Sequence, residues 1–113
     1  MEEIRLHYRT RTNKMIDIAY SDIYYIEAGH YSHQILLQKQ SDMISFYGSL
    51  TEIEKLSACL LRIHRDTLVN IDKIKCYLKE EAKIILIDGT ELSVSRTGEK
   101  RIAKYLTDSK HSF

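Results

Sequence analysis

"LLRIHRDTLVNIDKIK", Leu60 to Lys75, decides how this chain is read. It gathers Arg62, His64 and Arg65 into one group, then continues as a strand with apolar residues at Leu68, Val69, Ile71 and Ile74. Like charges repel, and a hydrophobic core gains nothing from them. The pattern points to negative charge supplied from outside the chain. Val69 and Asn70 read as internal, with the Asn70 amide tying a loop to backbone groups.

Outward from that segment, most of the chain reads as short strands. Ile16, Ile18 and Tyr20 alternate with Asp17 and Ala19. Strand signals follow at Ile23–Ala28, His33–Gln38 and Met43–Tyr47. A late hairpin is expected from Ala82–Ile87 and Thr90–Val94, with Asp88-Gly89 supplying a type I′ turn. Two segments read as helices instead. "SLTEIEKLSACLL" opens on Ser49 with Glu52 three positions on, a capping-box signature. Its expected inward stripe is Leu50, Ile53, Leu56, Ser57 and Leu60. The second, Thr97 to Leu106, is expected to turn Ile102, Ala103 and Leu106 inward. Both are too short to stand alone in water, so both must pack on the strands. The expectation is a mainly β domain with short helices, not a helix-turn-helix.

The chain has 113 residues, with 43% hydrophobic and 29% charged, which fits one compact domain. Its core is expected over about residues 16–106, with 107–113 a frayed tail. There are 17 Lys and Arg against 16 Asp and Glu, so bulk charge announces no nucleic-acid partner. Such a claim must rest on where the charges lie. Cys59 and Cys76 form no metal-ligand spacing and read as reduced, partly buried thiols; no metal and no cofactor is expected. The longest aliphatic run, Ile84–Ile87, is far too short to span a membrane, and "MEEIRLHYR" is no signal segment. The expected location is the cytoplasm.

Catalysis is not expected. Ser32-His33 and His64 with Asp66 resemble fragments of a nucleophile site, but no GxSxG turn, phosphate loop or HExxH helix accompanies them. The basic residues remain. Arg62, His64 and Arg65 form one cluster; Arg96, Lys100, Arg101 and Lys104 form another; His30 and His33 flank Tyr31 and Ser32. Taken singly, each cluster is readable as solvated charge. Taken together, Arg62 to Arg65, His33 and Arg96 all fall at element ends, where a rigid scaffold presents recognition groups.

"RIHRDTLVNIDKI" resembles the hallmark segment of the LytTR family of bacterial DNA-binding domains. "LSVSRTGEKRIAKYL" is similar to that family's closing strand and last helix, and "DIYYIEA" to its opening core strand. "YSHQILL" with "FYGSLTEIE" resembles the branch of quorum-sensing response regulators of the Agr and competence type. The resemblance runs from Ile16 to Leu106. It implies an elongated antiparallel β sandwich of small sheets. It implies sequence-specific binding of double-stranded DNA at promoter repeats, with loops in successive major grooves and a dimer on DNA. It implies base contacts from His33, Arg65 and Arg96, with Arg62, Ser95, Lys100, Arg101 and Lys104 at the DNA backbone. It implies a receiver domain and a histidine-kinase pathway upstream, so the chain is an excised output domain or a stand-alone regulator. The alternative is a LytTR-like module that binds or inhibits another regulator. Asp66 departs from the family's usual small polar residue and Thr67 from its usual aromatic. For Asp66, pairing with Arg62 or Arg65 and accepting from cytosine N4 both stay open.

Overall fold

The computed structural model describes residues 4–109, with side chains through Tyr105. Its centre is a five-stranded antiparallel sheet in the order β5-β4-β3-β7-β6. These strands are β3 (Tyr25–Ala28), β4 (Gln34–Gln38), β5 (Met43–Tyr47), β6 (Leu60–His64) and β7 (Thr67–Asn70). The period-2 pattern sends Ile26, Leu37 and Leu68 to one face, where cross-strand pairing sets them side by side. That face is closed by helix α1 (Leu50–Leu56) and by the hairpin of β1 (Arg5–Arg9) with β2 (Met15–Ala19), through Leu6, Tyr8, Leu50 and Ile53. On the opposite face, Val69 packs with a three-stranded sheet and with helix α2 (Arg96–Ser109). That sheet runs in the order β10-β9-β8, from β8 (Ile74–Leu78), β9 (Lys83–Leu86) and β10 (Glu91–Ser93). Ile63, Ile84, Leu86, Val94 and Ile102 complete this second core. The result is the expected sandwich of small antiparallel sheets with short helices.

Four local expectations need correction. Strand β1 is absent from the sequence reading, yet Leu6 is fully buried, so packing begins ahead of Ile16. Helix α1 ends at Leu56, which is 52% exposed, while Leu60 already belongs to β6; the helical stripe ran two elements together. The capping box is present but relayed. Ser49 Oγ accepts from Glu52 N at 3.3 Å, but the Glu52 carboxylate accepts from the Tyr8 hydroxyl (2.7 Å), which accepts from Ser49 N (2.9 Å). Tyr8 thus stands inside the cap. The Asp88-Gly89 turn is not type I′, because Gly89 alone of the two has positive φ. Leu86 O accepts from Gly89 N at 2.9 Å and Leu86 N donates to Thr90 O at 2.8 Å. This is a three-residue loop with a left-handed glycine.

In α2, Ile102 is fully buried as expected, Ala103 is exposed, and the Leu106 side chain lies outside the described residues. Of the expected tail, Thr107 to Ser109 continue the helix and 110–113 lie outside the described residues. Asn70 behaves as read: it is 1% exposed, and its amide donates to the Tyr20 and Ile23 carbonyls, both at 2.8 Å. Cys59 and Cys76 are half-buried free thiols.

Candidate nucleic-acid interface

Antiparallel order brings the β3–β4 loop, the β5–α1 corner and the β6–β7 turn to one end of the central sheet. Backbone bonds lash these segments into a row. Arg11 N donates to Tyr47 O (2.8 Å), Gly48 N to His33 O (2.8 Å), Ala28 N to Asp66 O (2.9 Å) and Ser95 N to Ile63 O (2.8 Å). The row therefore runs from the β1–β2 turn, past His33 and the Arg65 turn, to the start of α2.

Its two ends are built differently. His33 is exposed and adopts φ 60°, the left-handed region that histidine tolerates better than most residues. It closes a turn in which Gln34 N donates to Tyr31 O at 3.0 Å. At the other end, β6 carries a bulge. Arg62 pairs with Leu68 and His64 with Thr67, which leaves Ile63 as the extra residue. The Ile63 carbonyl is thereby free of the ladder and accepts from Ser95 N. Ser95 then caps α2, its Oγ accepting from Gly98 N at 3.0 Å. Gly98 is buried against Ile63; a Cβ there would overlap the Ile63 carbonyl. Only glycine lets the helix start this close to the strand.

These constraints sort the basic residues into two kinds. Arg62 faces inward, and it shares one carboxylate with the more exposed Arg101. Arg62 Nη1 donates to Glu54 Oε1 at 3.1 Å, and Arg101 Nη1 to Glu54 Oε2 at 3.4 Å. Arg62 also donates through Nε to Arg65 O at 3.1 Å, pinning the β6–β7 turn, and through Nη1 to Thr51 Oγ1 at 3.2 Å. Arg101 reaches the Arg62 carbonyl at 3.3 Å. Arg62, with a side chain only 20% exposed, is thus a clamp on the turn. The other kind faces out. The Arg65 side chain is 87% exposed, and its contact with Asp66 at 3.7 Å is an open surface pair of little strength. Arg96, Lys100 and Lys104 are exposed on α2, away from its buried Gly98 and Ile102. His64 is half-buried, and its Nδ1 accepts from Asp66 N at 3.4 Å, which steadies the turn.

Two concavities mark the same end. One of about 370 Å³ is lined by Arg62, His64, Arg65, Ser95, Gly98 and Arg101, among others. Another of about 270 Å³ is lined by His33, Arg11, Gln34, Gly48 and Thr51, and again by Arg62. Arg62 is the partition between them. The row thus presents a polar surface rich in basic side chains. Among the described residues no group of three acidic, histidine or cysteine side chains gathers to hold a metal, and no helix is long and apolar enough to cross a membrane.

Sequence reasoning missed Glu54, Tyr8, Gly98 and Arg11. Glu54 carries no local signal, since its partners stand 8 and 47 positions away. Gly98 did carry one: a glycine in the first turn of a helical pattern marks close backbone approach.

Known proteins bear on this surface. Accessory gene regulator protein A from two strains of Staphylococcus epidermidis is 25% identical over 92 residues, which cover 81% of this chain. The chain spans 39% of the length of those relatives. A solved LytTr DNA-binding domain from Bacillus cereus superposes with a TM-score of 0.70 at 22% identity, over 94% of this chain and 97% of that one. The model of the LytTr DNA-binding domain matches residues 13–107, which include the row from the β3–β4 loop to the start of α2 but not Arg11 of the β1–β2 turn, and the chain belongs to the LytTR family of DNA-binding domains.

Proposed function

We propose that this chain reads double-stranded DNA with the lashed end of its central sheet, as the output domain of a transcriptional regulator. The observation that carries this reading is the division of the basic residues. Arg62 and Arg101 share the single Glu54 carboxylate, with Arg62 holding the turn, while His33, Arg65 and the first residue of α2, Arg96, project outward. His33, Arg65 and Arg96 meet base edges in the major groove. Lys100 and Lys104, four positions apart on the outer side of α2, meet phosphates. Ser95, its oxygen engaged with Gly98 N, positions Arg96 rather than phosphate.

The length and name of the Staphylococcus relatives support a wider frame. In that frame the domain acts in the cytoplasm, downstream of a receiver domain and a histidine kinase. Copies pair on promoter repeats.

Arg96→Ala tests the base-reading role. On a duplex selected from random sequences, the substitution is expected to weaken binding by about 1–3 kcal/mol and relax preference at one position. Equal loss on selected and random duplexes reduces Arg96 to a phosphate contact. Failure of the wild-type chain to bind any duplex at low salt favours the protein-partner alternative.

A further inference from the structure

We propose that the DNA-binding surface extends past His33 onto the N-terminal hairpin, where Arg11 holds a backbone phosphate. This rests on the DNA reading above and enlarges its footprint.

The hairpin is fixed to the sheet at its distal turn. Tyr8 inserts its hydroxyl between Ser49 N and the Glu52 carboxylate, and its ring lies against buried Gly48, where a Cβ would meet that ring. Burial and Glu52 push the Tyr8 hydroxyl above its ordinary pKa. Arg11 N then bonds Tyr47 O at 2.8 Å, so the turn after β1 joins the end of β5.

The turn itself is held by its own bonds. Thr10 is buried, its N donates to Lys14 O at 2.8 Å, and its Oγ1 accepts from Lys14 N at 3.0 Å. Asn13 takes φ 64°, and its Oδ1 accepts from Arg9 Nη1 at 3.0 Å. Arg9 is thereby occupied within the hairpin. Arg11 is not: its side chain is exposed and makes no ion pair among the described residues. It lines the concavity that holds His33, Gln34 and Thr51. Glu52, the carboxylate beside Tyr8, is already engaged by the Tyr8 hydroxyl at 2.7 Å.

Position along the row decides what Arg11 meets. Strands lie about 4.8 Å apart, so five of them span on the order of 20 Å. A major groove is only about 12 Å wide. The Arg11 backbone is bonded beside β5, and its side chain faces, across the His33 concavity, the Arg62 that holds the Arg65 turn. A duplex whose groove receives Arg65 presents its sugar–phosphate wall toward the β5 side. A guanidinium with five donors and no internal acceptor suits a phosphate there.

The test compares wild type, Arg11→Ala, Arg11→Lys and Arg96→Ala on a selected duplex and on a random duplex, across a salt series, with thermal unfolding of each. Arg11→Ala is expected to lower the salt slope by about 0.9, equivalent to roughly tenfold weaker binding near 0.1 M salt. The loss should be equal on both duplexes, with unchanged unfolding temperature, and Arg11→Lys should restore the slope. An unchanged slope in Arg11→Ala, while Arg96→Ala still loses selectivity, overturns this inference and leaves the DNA reading standing. Wild type that binds neither duplex overturns both.

Discussion

The two ends of the central sheet use polar side chains in opposite ways. At the end away from the loop row, Asn70 spends its capacity inside the protein. Its amide serves two carbonyls, its Oδ1 accepts from Asp72 N at 3.0 Å, and its backbone N donates to Tyr24 O at 3.0 Å. At the row end, Arg65, Arg96 and His33 project from turns that other residues hold: Arg62 for one, Ser95 and Gly98 for the next, the Gly48–His33 bond for the third. One end closes the fold with polar groups; the other builds a frame so that polar groups stay open. If the row end reads DNA as proposed, stability and recognition are separated along one sheet, and substitutions at each end should separate them too.

The largest effect is expected at Gly98. The group that a Cβ would strike is the Ile63 backbone carbonyl at the bulge, which no side-chain rotation can clear. Gly98→Ala should therefore cost about 3 kcal/mol or more in urea unfolding, at the upper end for overpacking. The variant should also lose DNA binding, because α2 carries Arg96. A wild-type unfolding midpoint for Gly98→Ala would mean that the helix does not begin against Ile63.

Asn70→Ala comes next and breaks the comparison from the other end. It leaves the Ile23 carbonyl and the Asp72 N–H without the Asn70 side chain, while the Tyr20 carbonyl keeps only its bond from Ile23 N, which should cost about 2–4 kcal/mol. Below its unfolding transition, however, its affinity and selectivity for DNA should match wild type. Altered selectivity in the folded variant would show that the two ends are coupled.

Arg62 and Arg65 sharpen the comparison within a single turn. Arg62→Ala leaves the Arg65 carbonyl without its side-chain donor and Glu54 with Arg101 alone, at an expected cost of about 1–3 kcal/mol. Arg65→Ala, at an 87% exposed side chain, should change stability by no more than about 0.5 kcal/mol while weakening DNA binding. Reversed outcomes would exchange their roles.

The division into clamps and contacts was not legible in the sequence, although the cluster was. Strand positions and the buried Asn70 followed from period-2 alternation and residue type, which are local signals. Leu56 was misread because the buried Leu60 of β6 falls four positions on and completes a helical stripe by coincidence. β1 was overlooked although Leu6 and Tyr8 alternate with Arg5, His7 and Arg9, the same period-2 signal; what the sequence does not hold is the partner of Tyr8, since Gly48 and Glu52 meet it only in the fold. Arg62 was set apart from Arg65 only as a DNA-backbone contact with a partly structural role, because Glu54, the carboxylate that ties it down, arrives only when α1 packs on the sheet. Side-chain partners far apart in sequence decide which cation is free, and a chain read alone does not hold them.

Glu27 carries the smallest expected effect and tests whether the row end tolerates uncompensated charge of either sign. It lies near the end of β3, opposite Leu36 on β4 and Thr67 on β7. Its carboxylate is half-buried and has no hydrogen bond or ion pair among the described residues. Burial accordingly pushes it above the usual carboxylate range. A raised acid binds its proton more tightly in the folded state than in the unfolded one. Its charged form therefore costs stability above the folded pKa; that cost is relieved as pH falls through the folded pKa and is absent below the unfolded value. Glu27→Gln removes the charge while keeping the shape. The variant should unfold at a slightly higher temperature than wild type at neutral pH, and the gap should close in acid, below about pH 4. Unfolding scans of both proteins from about pH 3 to about pH 8 read this directly. A wild type more stable than Glu27→Gln at neutral pH would mean that the carboxylate is compensated after all, and that the row end frees its cations without leaving an acid unpaired beside them.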